Sequence, residues 1–280
     1  MLAGARKLVL LGGSNVFWSI SARQLEEGLQ VRTVNMGLHA GVSLRYLLWS
    51  VRRVLEPGDA VLLSLEYQLY RSAADSNVGQ VDYALVRREY FLDLPIADQI
   101  TTGLRVPPKR LWDGLTARFF PSAQEKIALS DLPFDSWGDL VFEKCPAPRT
   151  NPRELLGSPP NEFIVGDIPE GSSSWKTLAE FCRWCSKRGI LVFVTPPSLI
   201  WKAEYASPRA QRNLAWIQRF YQDQGCQFLP GPDASLYGRV DYFWNSVYHL
   251  GKDGRTIRSH ELLKQMKPLL RDRAIAVIPL

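Results

Sequence analysis

Ser14 is the next-to-last residue of the run LVLLGGSN (residues 8–15), in which an apolar stretch meets two glycines and then a hydroxyl. A short apolar run bounded by glycine reads as a buried strand, so the serine falls in the turn that opens the next helix. There its oxygen and its own N–H lie at the positive end of a helix dipole. The side chain can act as a nucleophile and the amide as an oxyanion donor. An N-capping serine fits the same place, whereas GGSN has neither the dinucleotide fingerprint nor the spacing of a phosphate loop. At the far end, DYFWNSVYHLGKDGR (241–255) sets His249 among aromatic residues just before a last helix. Histidine is the usual base for a serine hydroxyl because its ordinary pKa lies near neutrality; a loop histidine that only packs is the alternative. Asn245, four residues earlier, is spaced to accept a hydrogen bond from His249 Nδ1–H and so leave Nε2 for the serine proton. Glu66 and Asp241 are the carboxylates that would orient the ring instead. The other histidines are His39, beside a glycine turn, and His260, within a helix with polar neighbours.

Those side chains need a frame, and the pattern supplies an alternation of strands and helices. KLVLLGG (7–13) is a strand, followed by a helix over 15–29 with Asn15 near its cap; VRTVNMG (31–37) is a second strand. Leu44, Leu47, Leu48, Val51 and Leu55 mark an amphipathic helix that EPGD ends, and AVLLSLE (60–66) is a third strand. The alternation resumes with a helix over 173–188, the strand in ILVFVTPP, a helix begun by SPR (207–209), the strand in CQFLP and a helix over about 253–270. Apolar strands alternating with helices predict a doubly wound α/β fold with a parallel sheet covered on both faces. In such a sheet ligands bind beyond the carboxyl ends of the strands, where Ser14 falls.

Residues 67–172 interrupt this order and are expected to form an inserted cap on a single domain spanning 1–280. The insertion carries a polar, helix-like part (80–90), the basic and aromatic stretch GLRVPPKRLWDGLTARFF, and the Pro/Ser/Gly-rich run CPAPRTNPRELLGSPPNEF, which reads as loop. Arg105, Lys109, Arg110, Trp112 and Arg118 would suit an anionic sugar by charge and ring stacking, although a solvated surface has the same composition.

The 280 residues, 46% of them hydrophobic, suffice for a sizeable core, and the formal charge of +6 favours anionic partners such as acidic glycans, phosphorylated substrates or a membrane surface. No nucleic-acid partner is indicated, and oligomeric state is not legible. The longest apolar run near the start is too short for a signal or a membrane span, so the chain reads as soluble and cytoplasmic as written, or as periplasmic or envelope-bound if an anchor precedes it. Cys182 and Cys185 in CRWC share a helical stripe with Trp175, Leu178 and Phe181, which points them at the core rather than at a metal; no metal and no cofactor is expected.

Serine after the first strand and histidine before the last helix is the order of the SGNH, or GDSL-like, hydrolases. The sequence resembles them in LLGGSN, NMGLHAG (35–41) and YHLGKDG (248–254), and is most similar to bacterial members associated with cell-surface polysaccharides. The resemblance covers both ends of the chain and leaves the insertion unmatched. It implies a flavodoxin-like three-layer α/β/α sandwich acting as an esterase or O-acyltransferase, most simply O-acetyl, on a carbohydrate ester. Ser14 would be the nucleophile and one oxyanion donor, His249 the base, and Gly41, or failing it Gly37, the source of a second donor; His39 would line the site. Two positions depart from the family pattern: Glu66 stands near the place of an oxyanion-binding Asn, and Asn245 and Ser246 stand where an Asp precedes the histidine. A non-catalytic glycan-binding or assembly protein on the same fold would carry both departures.

Overall fold

The computed structural model describes residues 7–39, 41–71, 81, 83–84, 86–109, 112, 116, 132–145, 152–229 and 235–275. Five parallel strands form its centre: β1 (Lys7–Gly12), β2 (Arg32–Asn35), β3 (Ala60–Ser64), β4 (Leu191–Val194) and, after a short β5 (Leu199–Ile200), β6 (Gln227–Phe228). Their order is β2-β1-β3-β4-β6, the flavodoxin-like arrangement. A separate pair joins β5 to β7 (Leu236–Tyr237).

Alternation along the strands divides the apolar residues between two faces. Leu8, Leu10, Ala60, Leu62 and Phe193 point one way and pack on Val16 and Ile20 of the segment that opens with α1 (Ser14–Ser19), on Leu25 and Leu29 of α2 (Ala22–Leu29), and on Leu262 and Met266 of the last helix. Val9, Leu11, Val61, Leu63, Val192 and Val194 point the other way, onto α3 (Leu44–Arg52), α4 (Ser173–Lys187) and α5 (Pro208–Asp223). Cys182 and Cys185 belong to that second face and are buried in it.

Three elements differ from the sequence reading. The helix expected over 15–29 is two helices, α1 and α2, broken at Ile20 and Ser21, and Asn15 is not a cap. Asn35 Nδ2 lies 3.2 Å from the Ile20 carbonyl, Ser21 caps α2 by accepting from Gln24 N–H, and Asp139 of the insertion accepts from Ser21 Oγ, Ala22 N–H and Arg23 N–H. These polar partners replace the helical hydrogen bonds that the break forgoes. The run read as loop holds a 3-10 turn (Pro152–Gly157) and a short helix (Glu162–Val165). The last helix, α6 (Lys252–Ile275), runs through Pro268 and ends later than the periodicity suggested.

Candidate active site

β1 lies between β2 and β3, and its carboxyl end is crowded. A Cβ on Gly12 would sit 2.1 Å from the Ser64 carbonyl oxygen, and one on Gly13 would sit 2.3 Å from Glu66 Oε2. Both positions therefore require glycine for close approach. Glu66, two residues beyond β3 and only 1% exposed, accepts from Gly13 N–H through Oε2 and from Asn15 N–H through Oε1, each at 2.8 Å. The amides on either side of Ser14 are thus held by one carboxylate. Burial pushes Glu66 up to about 7, although the amides of Asn15 and Gly13 favour its charged form. Asn15 is wholly buried: Nδ2 donates to Ser64 Oγ (3.0 Å) and to the Ser64 carbonyl (3.2 Å), and Oδ1 accepts from Ser198 N–H (3.0 Å). It ties three chain segments together behind the serine and has no surface to offer a substrate.

His249 is held from the other side of the cleft. Phe243 and Leu250 bridge the ends of its loop, Trp244 N–H donates to the His249 carbonyl at 2.8 Å, and His249 N–H donates to the Ser246 carbonyl at 3.2 Å. Ser19, five residues after the serine, donates to the Tyr248 carbonyl (3.0 Å) and accepts from Leu250 N–H (3.1 Å), so the loop is stitched to α1. The Trp18 ring lies under the imidazole, 5.2 Å between centroids and 13° from parallel, and Trp244 stacks on Trp18. The imidazole so placed has Nε2 2.8 Å from Ser14 Oγ and Nδ1 2.7 Å from Asn245 Oδ1. Residues 235 apart in sequence meet at hydrogen-bond distance. Burial against these rings, with His39 adding a like charge, lowers His249 to about 3.

The chain matches no protein-family model and no curated protein. Its likenesses are to solved structures. One is the protein YxiM of Bacillus subtilis, at 11% identity and a TM-score of 0.42, over 95% of this chain; the chain spans 57% of that protein's length. Another is a protein assigned to the lipolytic G-D-S-L family from Desulfitobacterium hafniense, at 8% identity and a TM-score of 0.42, over 92% of this chain and 98% of that one. A third is a catalytic mutant of Axe2, an acetylxylan esterase from Geobacillus stearothermophilus, at 11% identity and a TM-score of 0.44, over 95% and 96% of the two chains. These likenesses are remote, and the chemistry of the site follows from its own geometry.

The remaining sequence candidates fall in different places. Asp241 is exposed and paired with Arg239 at 2.5 Å, which holds its carboxyl below the usual range; no bond joins it to His249. Glu66 does not orient the imidazole either, since its two oxygens accept from the amides on either side of Ser14. The Gly37 N–H donates to Asn35 Oδ1 (3.0 Å), and Asn35 is itself buried and bonded to Asp139, so that amide is firmly engaged. The Gly41 N–H donates to Nδ1 of His39 (2.9 Å), an exposed side chain that can turn away. His39 is near enough to act on His249 electrostatically. His260 is exposed on α6, away from this chemistry. In the insertion, Arg105, Lys109 and Trp112 are exposed, while Arg110 and Arg118 lie outside the described residues. Trp18, Ser19 and Asp139 shape the site and carry no motif. Trp18 does follow the serine by four residues, a spacing at which a helix brings two side chains alongside each other.

Proposed function

We propose that this chain is a serine-dependent acyl-ester hydrolase or O-acyltransferase of the SGNH type, acting on a carbohydrate ester. The observation that supports it is the continuous chain of hydrogen bonds from Ser14 Oγ through the His249 ring to Asn245 Oδ1. With Asn245 presenting its oxygen, Nδ1 carries the ring proton and Nε2 is the acceptor that Ser14 needs.

Ser14 Oγ attacks the ester carbonyl carbon as its proton passes to Nε2. The tetrahedral oxyanion lies against the Ser14 N–H at the start of α1, and Gly41 N–H adds a second donor when His39 swings aside. The carbon–oxygen bond to the alcohol then breaks, and the alcohol takes the proton from Nε2. Water, or a sugar hydroxyl, attacks the acyl-Ser14 and returns a proton through the same nitrogen, releasing acid or a new ester. The half-buried Trp244 beside His249 offers a flat face on which a sugar ring can stack. Together with the sequence resemblance, it favours a carbohydrate alcohol over a small aliphatic one.

Intact-mass measurement after treatment with a fluorophosphonate tests the nucleophile. The protein should gain one phosphonyl group and hydrolyse an aryl acetate, and Ser14→Ala should do neither. A wild-type chain that stays unlabelled would instead leave a glycan-binding or assembly protein that keeps the fold without the reaction.

A further inference from the structure

The amphipathic helices α2, α3, α4 and α5 turn their apolar stripes inward, and the helix Ile96–Leu104 in the insertion does the reverse. Its protein-facing side is polar. Asp98 pairs with Arg45 at 2.6 Å in the first turn of α3, Thr102 is buried, and Gln99 Nε2 donates to the Leu94 carbonyl at 2.8 Å. The opposite side carries Ile96, Ile100 and Leu104, which are 76%, 59% and 84% exposed at the i, i+4, i+8 spacing of one helical face. Leu92 before it and Trp112 after it are also largely exposed. Clustered apolar exposure of this kind marks a contact surface rather than ordinary surface scatter.

Charge decides what the surface fits. Arg105 follows Leu104 directly at the end of the helix, and Arg87 and Arg88 at the start of the preceding helix are also exposed. Among the described residues 87–109, Asp98 is bound to Arg45, Asp93 accepts from Trp49 Nε1 beside Arg53, and Glu89 is exposed. A two-fold pairing with a second copy would set this cationic border against itself. An anionic surface with an apolar interior satisfies the stripe and the border together, which is how interfacial helices bind bilayers. We propose that the Ile96–Leu104 face docks the protein peripherally on anionic lipid. Among the described residues no helix is long and apolar enough to cross a membrane, so the contact is superficial. Arg45, which holds Asp98, lies in the first turn of α3, the helix that follows the loop carrying His39.

The test is co-sedimentation of the full chain with phosphatidylcholine vesicles, with and without phosphatidylserine. The protein should pellet with the anionic vesicles only, less so at raised salt. The double variants Ile100→Glu/Leu104→Glu and Arg87→Glu/Arg88→Glu should each bind about tenfold more weakly or worse, with unchanged circular dichroism and thermal melting. A wild-type chain left in the supernatant, or an Ile100→Glu/Leu104→Glu chain that pellets like wild type, overturns the proposal. A lipid-free dimer that the same double variant dissociates in light scattering also overturns it, assigning the stripe to a second copy.

Discussion

Asn245 meets Nδ1 of His249 where an anion would stabilise the imidazolium, and an amide supplies direction without charge. In the proposed mechanism His249 is therefore an oriented but weak base, lowered to about 3 by burial and His39. Asn245→Asp should keep the geometry, raise the histidine toward its ordinary 6.5, and hold or increase kcat on an aryl acetate while moving the acid limb of kcat/KM to higher pH. Asn245→Leu should lower kcat by a factor on the order of 10² to 10⁴, the usual contribution of positioned acid–base catalysis. A silent Asn245→Leu would remove the residue from the mechanism. Glu66 gives a different signature. Its ionised form best holds the Gly13 and Asn15 amides that flank Ser14, so under the proposed mechanism a limb near pH 7 in the wild-type profile should belong to Glu66 and not to the histidine. In Glu66→Gln, activity should be reduced and flat from pH 5.5 to about 8, because the amide cannot titrate and its NH2 group faces a backbone donor. A limb that persists in that variant would return the assignment to His249.

The pieces that carry these side chains are joined by buried polar contacts as much as by apolar packing. Asp139 receives three hydrogen bonds from the first turn of α2 and a fourth from Asn35, and through them one carboxylate from the insertion sets the break between α1 and α2. Asp139→Ala would leave those donors buried without partners and should destabilise the fold by about 1–3 kcal/mol in urea unfolding. The same variant should lower kcat more than it raises KM, since α1 carries Ser14, Trp18 and Ser19 together. Loss of stability with unchanged kcat would show that α1 keeps its place without the insertion. Asp139 belongs to no motif of the insertion, and the partners of its carboxylate lie more than 100 positions away. No local pattern announces such a contact.

Taken entire, the molecule carries at its site a buried acid whose titration sets part of its stability. Glu66 is raised to about 7 from an ordinary 4.5, so between those values the folded chain holds a proton that the unfolded chain has lost. Stability should fall as pH rises through that window, by up to about 3 kcal/mol, and be level above it. Urea unfolding of wild type and Glu66→Gln at pH 5 and pH 8 isolates the effect: wild type should lose stability relative to the variant at pH 8. An equal difference at both values would mean that Glu66 is ionised throughout. The two-faced core should tolerate little truncation. Leu62→Ala in the fully buried β3 should cost about 2–5 kcal/mol by equilibrium unfolding.

The parallel sheet and its flanking helices were legible because their cause is local and periodic. Short apolar runs such as LVLL and AVLL, bounded by turn residues, read as strands buried on both faces, and the 3.6-residue stripes between them read as the helices that cover those faces. The flanking glycines also located Ser14, and the aromatic loop before α6 located His249. The spacing of four residues from Asn245 to His249 foretold their contact, because it depends on one short loop. The break in the first helix, the capture of the Gly37 and Gly41 amides, the use of Glu66 as a clamp and the isolation of Asp241 with Arg239 lay beyond the reach of spacing. The break and the clamp depend on groups far away in sequence, whereas the Gly37, Gly41 and Asp241 contacts join residues two apart whose side-chain directions only the folded loops decide; neither kind leaves a periodicity in the chain.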